Sequence, residues 1–564
     1  MCTTEHRECG LQGNFARIRS LTSYKILAFC GILLVSFPSC NREHRHDDKS
    51  IIRLNLSAAV TSLDPAFASD QPNTWSVNQL FNGLVQLDSA LNVVPGIAKS
   101  WEISPDRREY TFHVRNDVYF HDDPCFAGGK GRTVIAEDFV YSFNRLLDPA
   151  TAARGNWVFQ HIVDSIVPFY APNDSTLEIK LQKPFAAFLQ RLSIQYCSVV
   201  PHEAIEKYGL DFRSHPVGTG PFTFVKWDEG ELLILHKNEK YFERDAEGNR
   251  LPYADAVNIQ FILNKSTEFL KFLNGELDFV SDIDAALQEE ILTPEGTLAH
   301  KYQGKIQLLK GPYLNTEYFS FLMDSTAAVM QNNPLIFPDI RKAINMGFDR
   351  REMLLFLKNN RGIPADGGIV PPSLLPADMP AFGYSYNADS ALQLLREAGF
   401  EDGIGLPMIT LQTTEQYQDI AVYIKDKLED LGIAIKIETV DPRILREMRL
   451  NEASAFFRSS WIADYADAEN YLTNFYGKNG APPNYTHYQN ATFDSLYEAA
   501  AEENNDAIRK YIYYRMDSIL MQDAPIVPLF YDEVYRFAQK DLSGLEPNAL
   551  NMLDLRYVRR NREQ

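Results

Sequence analysis

The sequence predicts an α/β protein, because short apolar strands alternate with amphipathic helices from Ile51 onwards. Segments 111–114 and 177–181 alternate apolar and polar residues with the period of two that is typical of half-buried strands. Segment 136–147 carries apolar side chains at helical spacing and stops at an Asp-Pro pair, which predicts an amphipathic helix. Hydrophobic residues make up 45% of the chain, so the elements have enough apolar surface to form cores.

The second half of the chain gives the clearest order of elements. Two helices and two strands are predicted in alternation: helix 389–398, strand 408–412, helix 417–431 and strand 433–440. Gly399 and Gly432 follow the two helices at the position where glycine commonly ends a helix. This alternation predicts an open sheet covered by helices.

Length and charge narrow the function classes. The 564 residues suggest three or four structural units at roughly 150 residues per domain. Lys and Arg number 55 against 75 Asp and Glu, so the net charge is −20. Such an acidic chain is a poor partner for nucleic acid, whose binders use clustered cations.

The first forty residues are typical of an export signal. Cationic residues precede an apolar run over 26–37, which is too short to span a bilayer as a helix and ends just before Cys40. The arrangement resembles a bacterial lipoprotein signal, with Phe37 as a departure from the usual aliphatic residue. We therefore expect a signal peptide over 1–39, lipidation at Cys40 and a polar tether over 40–50, with ordinary cleavage without lipid as the alternative.

The remaining cysteines leave two alternatives open, and the catalytic motifs that we sought are absent. Cys125 and Cys197 could pair outside the cytoplasm or remain free and buried. Segment 128–133 lacks the spacing of a phosphate loop, and His202-Glu203 lacks the second histidine of a zinc protease. No G-x-S-x-G elbow is present either. We therefore predict no enzyme activity, no metal and no cofactor.

Segment 456–472 stands out as a candidate binding segment. It places Arg458 and Asp464 six residues apart beside the large rings of Trp461 and Tyr465. Charges fixed beside aromatic walls are typical of ligand clefts, whereas the alternative is a strand that leaves the core into an exposed acidic turn.

This segment resembles the peptide-contacting motif of the oligopeptide- and dipeptide-binding proteins of ATP-binding-cassette importers, solute-binding protein family 5. Further stretches resemble the family in the same order: 62–65 with 79–85, 101–112, 133–145, 217–222 and 339–350. Together they cover the body from about residue 51 to 560.

The resemblance implies a two-lobed periplasmic-binding-protein clamshell of cluster C type, with an extra subdomain in the first lobe and a hinge at two chain crossings, near 311–318 and 528–531. The implied boundaries are as follows: lobe I comprises 51–90, 206–311 and 529–564, the extra subdomain 91–205, and lobe II 312–528.

The resemblance also implies roles for individual residues. Asp464 matches the carboxylate that accepts the peptide's α-ammonium group, and Arg458 matches a cation for the terminal carboxylate, with an internal salt bridge as its alternative. Trp461 and Tyr465 would wall side-chain pockets, with core packing as the alternative. Two strands would pair with the peptide backbone: Ser460, Trp461 and Ile462 in lobe II, and Ser69, Asp70 and Gln71 in lobe I. Arg449 could reach the same pocket, although a helix that also carries Arg443 and Arg446 favours a solvated face for it.

The implied function is the capture of an extended peptide outside the cytoplasm and its delivery to a membrane permease. Since the chain lacks a phosphate loop, the ATPase must be a separate protein. We expect a monomer on the periplasmic or cell-surface side, held by the lipid anchor and without nucleic acid. The alternatives are a metal chelate, haem, sugar or signalling peptide as ligand, and an exported hydrolase.

Overall fold

A computed structural model describes residues 50–281, 283, 287 and 290–561. The predicted signal peptide and Cys40 lie outside these residues, as does the tether up to residue 49. The strands are β1 (Ile51–Asn55), β2 (Val85–Leu87), β3 (Val93–Pro95), β4 (Ala98–Ile103), β5 (Glu109–Val114), β6 (Phe169–Asn173), β7 (Thr176–Lys180), β8 (Phe222–Asp228), β9 (Leu232–Lys237), β10 (Ala256–Gln260), β11 (Phe279–Ser281), β12 (Ile306–Phe321), β13 (Ile363–Pro364), β14 (Ile409–Thr413), β15 (Ile435–Thr439), β16 (Phe456–Ile462), β17 (Ile526–Gln539), β18 (Leu542–Ser543) and β19 (Arg559–Arg560).

The α-helices of the described residues are α1 (Gln71–Leu80), α2 (Ala136–Leu147), α3 (Phe188–Leu192), α4 (His202–Tyr208), α5 (Lys265–Leu273), α6 (Pro338–Met346), α7 (Arg350–Lys358), α8 (Ala388–Glu397), α9 (Gln418–Glu429), α10 (Pro442–Leu450), α11 (Glu469–Leu472), α12 (Ala491–Glu502) and α13 (Asp506–Asp523). None of these helices is long and apolar enough to cross a membrane.

One large sheet runs through the body, with two long antiparallel strands at its centre. The strand order is β15-β14-β16-β12-β17-β11-β1-β10-β9-β8, and β13 adds to β17. Strands β12 and β17 pair over most of their length, and each contains one of the predicted lobe boundaries. By the predicted boundaries, the β11 side of the sheet would form lobe I and the β16 side would form lobe II.

The pairing of the two long strands is interrupted near the middle. Pro312 pairs with Glu533 and Thr316 pairs with Tyr531, so residues 313–315 face the single residue Asp532. Such a bulge bends the bulged strand and increases its local twist. The predicted lobe boundaries at 311/312 and 528/529 fall within these two strands, and the bulge is the feature that supports placing a hinge there.

Lobe I and the extra subdomain share one hydrophobic cluster. The subdomain carries a separate four-stranded sheet, β4-β5-β7-β6, against which α2 packs. Helix α2 covers the predicted residues 136–147, which confirms that prediction, and it buries Phe139 and Phe143 on one face. These rings join the same cluster as Leu54 of β1 and Leu235 of β9, so the subdomain is fused to lobe I by apolar contact.

Lobe II confirms the predicted alternation of helices and strands. Helix α8, strand β14, helix α9 and strand β15 follow one another within one or two residues of the predicted ends, and β14 and β15 are parallel. Gly432 has φ +84°, and a Cβ there would lie 2.4 Å from the carbonyl oxygen of Asp402. Glycine is therefore required both for the left-handed backbone and for the close approach.

Cys125 and Cys197 are free thiols in the structure, Cys125 partly exposed and Cys197 buried. Burial raises the pKa of both thiols, that of Cys125 to about 12, which disfavours the reactive thiolate.

Candidate functional site

Strand β16 has one paired edge and one open edge. Along its whole length it pairs with β12, from Phe456↔Phe321 to Ile462↔Asn315. On the other side, the described part of the chain pairs it with β14 only at Gln412↔Phe457. Residues 458–462 therefore have no strand partner on this side among the described residues. An open strand edge of this kind can pair with the backbone of an extended ligand.

Asp464 follows this open edge and carries a charge without a cationic partner. Within the described residues, no Lys, Arg or His nitrogen lies within ion-pair distance of its carboxylate, and its surface is accessible to water. Protein atoms nevertheless surround the group. This burial raises the pKa of the carboxyl above its ordinary value, against the opposing effects of a hydrogen bond with the Asn470 side chain and of the Arg191 charge. An accessible carboxylate among protein atoms suits a cationic ligand group.

Asn470 holds the turn that presents Asp464. Its side-chain oxygen accepts hydrogen bonds from the Asp464 backbone N–H at 3.1 Å and from the Trp461 indole N–H at 2.9 Å. Two parts of the segment are thus tied to one buried amide. The ring of Trp461 packs against the lobe II cluster around Tyr471 and is half-buried, so part of its surface remains exposed.

Arg458 lies at the other end of the open edge and forms an internal ion pair. Its guanidinium lies 2.6 Å from a Glu317 carboxylate oxygen, and it stacks 3.7 Å above the centre of the Tyr417 ring. The Tyr417 hydroxyl donates a hydrogen bond to the same carboxylate at 3.1 Å. The structure therefore shows the internal salt bridge that the sequence left open. A ligand carboxylate would have to share Arg458 with Glu317.

Arg449 corrects a sequence interpretation. It was expected on a solvated face of α10, but its side chain is half-buried, with its guanidinium 4.5 Å from the centre of the Tyr485 ring. Burial lowers its pKa, partly offset by the nearby hydroxyls of Tyr485 and Tyr318. Among the described residues it has no carboxylate within ion-pair distance. Arg449 is thus a cation without a counter-charge near Arg458.

The lobe I residues expected as a strand begin a helix instead. Asp70 caps α1 by accepting from the Asn73 backbone N–H at 3.1 Å, and Gln71 is the first residue of that helix. A proline at the start of α1 favours this helical start. The predicted strand over 69–71 is therefore wrong. These residues are exposed, and the Ser69 hydroxyl accepts a hydrogen bond from Arg154 at 2.6 Å.

Tyr196 of the extra subdomain is buried and packs edge-on against the Trp157 ring, with the ring centres 6.3 Å apart. Burial and the charge of Asp464 raise its pKa to about 12, and Asp70 adds a smaller effect in the same direction. Tyr196 is thus the group whose pKa responds to both Asp464 and Asp70.

Tyr465 is a core residue in this structure. It is 1% exposed and packs in the hydrophobic cluster of lobe I, although its chain segment belongs to lobe II. Its hydroxyl accepts a hydrogen bond from Arg191 of α3 at 3.0 Å. Of the two predicted pocket walls, Trp461 keeps partly exposed surface, whereas Tyr465 shows the alternative of core packing. Ser460 is half-buried opposite Glu317, and Ile462 is 52% exposed.

Glu469 and Asn470 lie within the candidate segment 456–472 but were given no role from the sequence. Four further residues of this region were not singled out: Glu317, Tyr417, Arg191 and Tyr196. Glu317 lies in the continuously buried part of β12, residues 314–321, and a charged residue within a segment that contains Tyr318, Phe319 and Phe321 was the available signal. In the described residues, no group of three or more His, Cys, Asp or Glu side chains could hold a metal ion.

Comparison with known proteins decides the family. The profile described as bacterial extracellular solute-binding proteins, family 5 Middle, matches residues 92–483. The chain belongs to this family. The family 5 assignment confirms the resemblance found at residues 458–472.

Two relatives illustrate the similarity of this family 5 chain. The dipeptide-binding protein DppE of Bacillus subtilis is 25% identical over 549 residues, which covers 92% of this chain and 94% of DppE. The glutathione-binding protein GsiB of Escherichia coli is 24% identical over 500 residues, which covers 87% of this chain and 90% of GsiB.

Solved structures confirm the predicted fold. DppA from Helicobacter pylori, in complex with the peptide STSA, superposes with a TM-score of 0.71 at 24% identity and covers 91% of this chain and 99% of DppA. The murein tripeptide-binding protein MppA of Escherichia coli superposes with a TM-score of 0.68 at 22% identity, covering 92% and 99%. The family 5 chain therefore has the two-lobed fold of periplasmic binding proteins.

Proposed function

We propose that this family 5 protein captures extended peptides with a free amino terminus between its lobes and delivers them to the permease of an ABC importer. The observation that carries the proposal is the accessible carboxylate of Asp464, which has no cation as partner and stands at the end of the open edge of β16. A peptide aligned on that edge would offer its α-ammonium group to Asp464.

The two features act on different parts of the ligand. Backbone hydrogen bonds to an open edge ignore side-chain identity, so they give affinity for many peptide sequences. The charge-assisted hydrogen bond to Asp464 fixes where the peptide begins, and it is worth roughly 1.5–3 kcal/mol. Arg449 and Arg458 at the other end of the edge are the cations available to a terminal carboxylate.

We also propose where the protein acts and which partners it has. The sequence features at residues 1–50 support export, lipidation at Cys40 and a position on the periplasmic or cell-surface side. The transporter's permease and a separate ATPase are the expected partners, and the protein acts as a monomer. The relatives named above for dipeptide and glutathione binding support a ligand with peptide bonds and a free ammonium group.

Calorimetry tests the proposal on ligand-stripped protein with alanine di-, tri- and pentapeptides and their N-acetylated forms. We expect at least one free peptide to bind, and acetylation to raise its Kd by roughly tenfold or more because Asp464 then loses its cationic partner. The variant Asp464→Asn should lose this preference, whereas Asp402→Asn, an exposed carboxylate of the same lobe, should keep it.

The outcomes separate the candidate ligands. Equal affinity of the wild-type protein for free and acetylated peptides would remove the role given to Asp464. Absence of binding to every peptide would favour the alternative of a non-peptide solute.

A further inference from the structure

Arg191 joins the extra subdomain to the segment that carries Asp464. It lies on the short helix α3, and its guanidinium is surrounded by three rings: Phe185 at 4.5 Å, Trp157 at 5.2 Å and Tyr465 at 5.2 Å from the ring centres. Two of these rings belong to the extra subdomain and the third to lobe II. The contact therefore joins the extra subdomain to the chain segment that carries Asp464, within the buried cluster that contains Tyr465.

The arginine has no carboxylate of its own. Among the described residues, no Asp or Glu oxygen lies within ion-pair distance, and its Nε atom is buried without a hydrogen-bond partner. Its polar contact is the hydrogen bond that Nη2 donates to the Tyr465 hydroxyl at 3.0 Å. A buried cation whose hydrogen bond goes to a single phenol depends strongly on that phenol for its position.

Tyr465 also forms a hydrogen bond with a buried carboxylate, that of Glu469. Its hydroxyl donates a hydrogen bond to Glu469, and the Tyr497 hydroxyl donates to the other oxygen of the same carboxylate. Burial raises the pKa of Glu469, while the Arg191 charge and the two hydroxyls lower it. The Arg191 charge thus acts on the carboxylates of both Glu469 and Asp464 and opposes the rise that burial causes in the pKa of each, but among the described residues neither has a cation within ion-pair distance.

We propose that Arg191 is a positioning residue of the amino-terminal subsite. Through Tyr465 it holds the turn over 464–470 against the extra subdomain, so that Asp464 is fixed in the cleft only when the two bodies are together. This inference rests on the proposed function. Capture of the peptide's ammonium group and closure of the lobes would then stabilise each other.

A second contact between the same bodies provides a matched control. Arg107, in the turn between β4 and β5, donates hydrogen bonds to the backbone oxygen of Glu503 at 3.4 Å and to the side chain of Asn504 at 3.0 Å. These atoms lie between α12 and α13, outside the turn over 464–470. Loss of this contact weakens closure without releasing Asp464.

The experiment measures the ratio of Kd values for the acetylated and free forms of the alanine peptide that binds most tightly. We expect Arg191→Met and Tyr465→Phe each to lower this ratio by roughly tenfold, the size of one charge-assisted hydrogen bond. The double variant should lower it no further, because both changes remove the same contact. The variant Arg107→Met should raise both Kd values together and leave the ratio within about twofold.

Several outcomes would overturn the inference. An unchanged or higher ratio in folded Tyr465→Phe, which removes only a hydroxyl, would show that the contact does not position Asp464. A lower ratio in Arg107→Met would show that general closure, rather than Arg191, sets the preference. If the wild-type protein itself shows no preference for the free peptide, the proposed function fails first, and this result is distinct from a wild-type preference that the variants retain.

Discussion

The charged residues at the two ends of the open edge of β16 differ in whether they have an ion-pair partner. At the Asp464 end the carboxylate is accessible and has no cation within ion-pair distance in the described residues. At the Arg458 end the guanidinium is already paired with Glu317 at 2.6 Å, and a second cation, Arg449, lies nearby without a carboxylate.

This difference suggests how the proposed ligand would be selected. A single carboxylate without an ion-pair partner at the amino end gives a strict requirement, because it gains most from one ammonium group. At the carboxyl end, Glu317 already neutralises part of the positive charge of Arg458 and Arg449. The binding free energy gained from a terminal carboxylate of the ligand is therefore smaller. We therefore expect the protein to discriminate the amino terminus more strongly than the carboxyl terminus.

The largest expected effect comes from removing the counter-charge at the carboxyl end. Glu317→Gln leaves Arg458 largely buried without its carboxylate, which should lower the free energy of unfolding by about 3 kcal/mol. It should also increase the preference for peptides with a free terminal carboxylate over their amides. Chemical denaturation measures the first effect, and calorimetry with the two peptide forms measures the second.

The matched control is Glu352→Gln, which breaks the more exposed pair with Lys427 at 2.9 Å. That change should cost less than about 1 kcal/mol. Equal losses of stability in the two variants would mean that the Arg458–Glu317 pair has no special role.

Acidification should affect the two ends in opposite directions. Since burial raises the pKa of Asp464 above 3.8, its carboxylate is lost as the pH falls through that raised value, and binding of the ammonium group is lost with it. The same groups that oppose this shift, Asn470 and Arg191, face the carboxylate together with Tyr196. Burial also raises the pKa of Glu317, so acid frees Arg458.

A peptide with a free amino terminus and an amidated carboxyl terminus isolates the Asp464 end. Its Kd should rise as the pH falls from about 7 to about 4, because the Asp464 carboxylate is lost in that direction. The acetylated peptide and the Asp464→Asn variant should show no such rise. A rise of the same size for the acetylated peptide would assign the pH dependence to the fold rather than to Asp464.

The smallest expected effect concerns Arg449. Arg449→Met should raise the Kd of peptides with a free terminal carboxylate by roughly fivefold and leave their amides unchanged, because the remaining Arg458 is shared with Glu317. Arg446→Met, on the exposed face of the same helix, should affect neither. Calorimetry on both variants decides whether Arg449 belongs to the site, and equal behaviour would exclude it.

Much of the architecture followed from local sequence patterns. Helix α2 and the alternation α8-β14-α9-β15 were predicted from periodicity and glycine positions, because their apolar faces repeat along the chain. The start of α1 was missed as a helix, since resemblance suggested a strand where an aspartate cap followed by proline favours a helix.

The sequence by itself determined the class of fold, the family and the segment that carries Asp464, because these depend on patterns read along the chain. Only the tertiary structure decided which charges are compensated. Glu317 meets Arg458 from 141 residues away, and Arg191 meets Tyr465 from 274 residues away. Whether a charged side chain is paired within the protein or available to a ligand depends on residues that the fold brings together from distant positions. No local sequence pattern encodes that pairing.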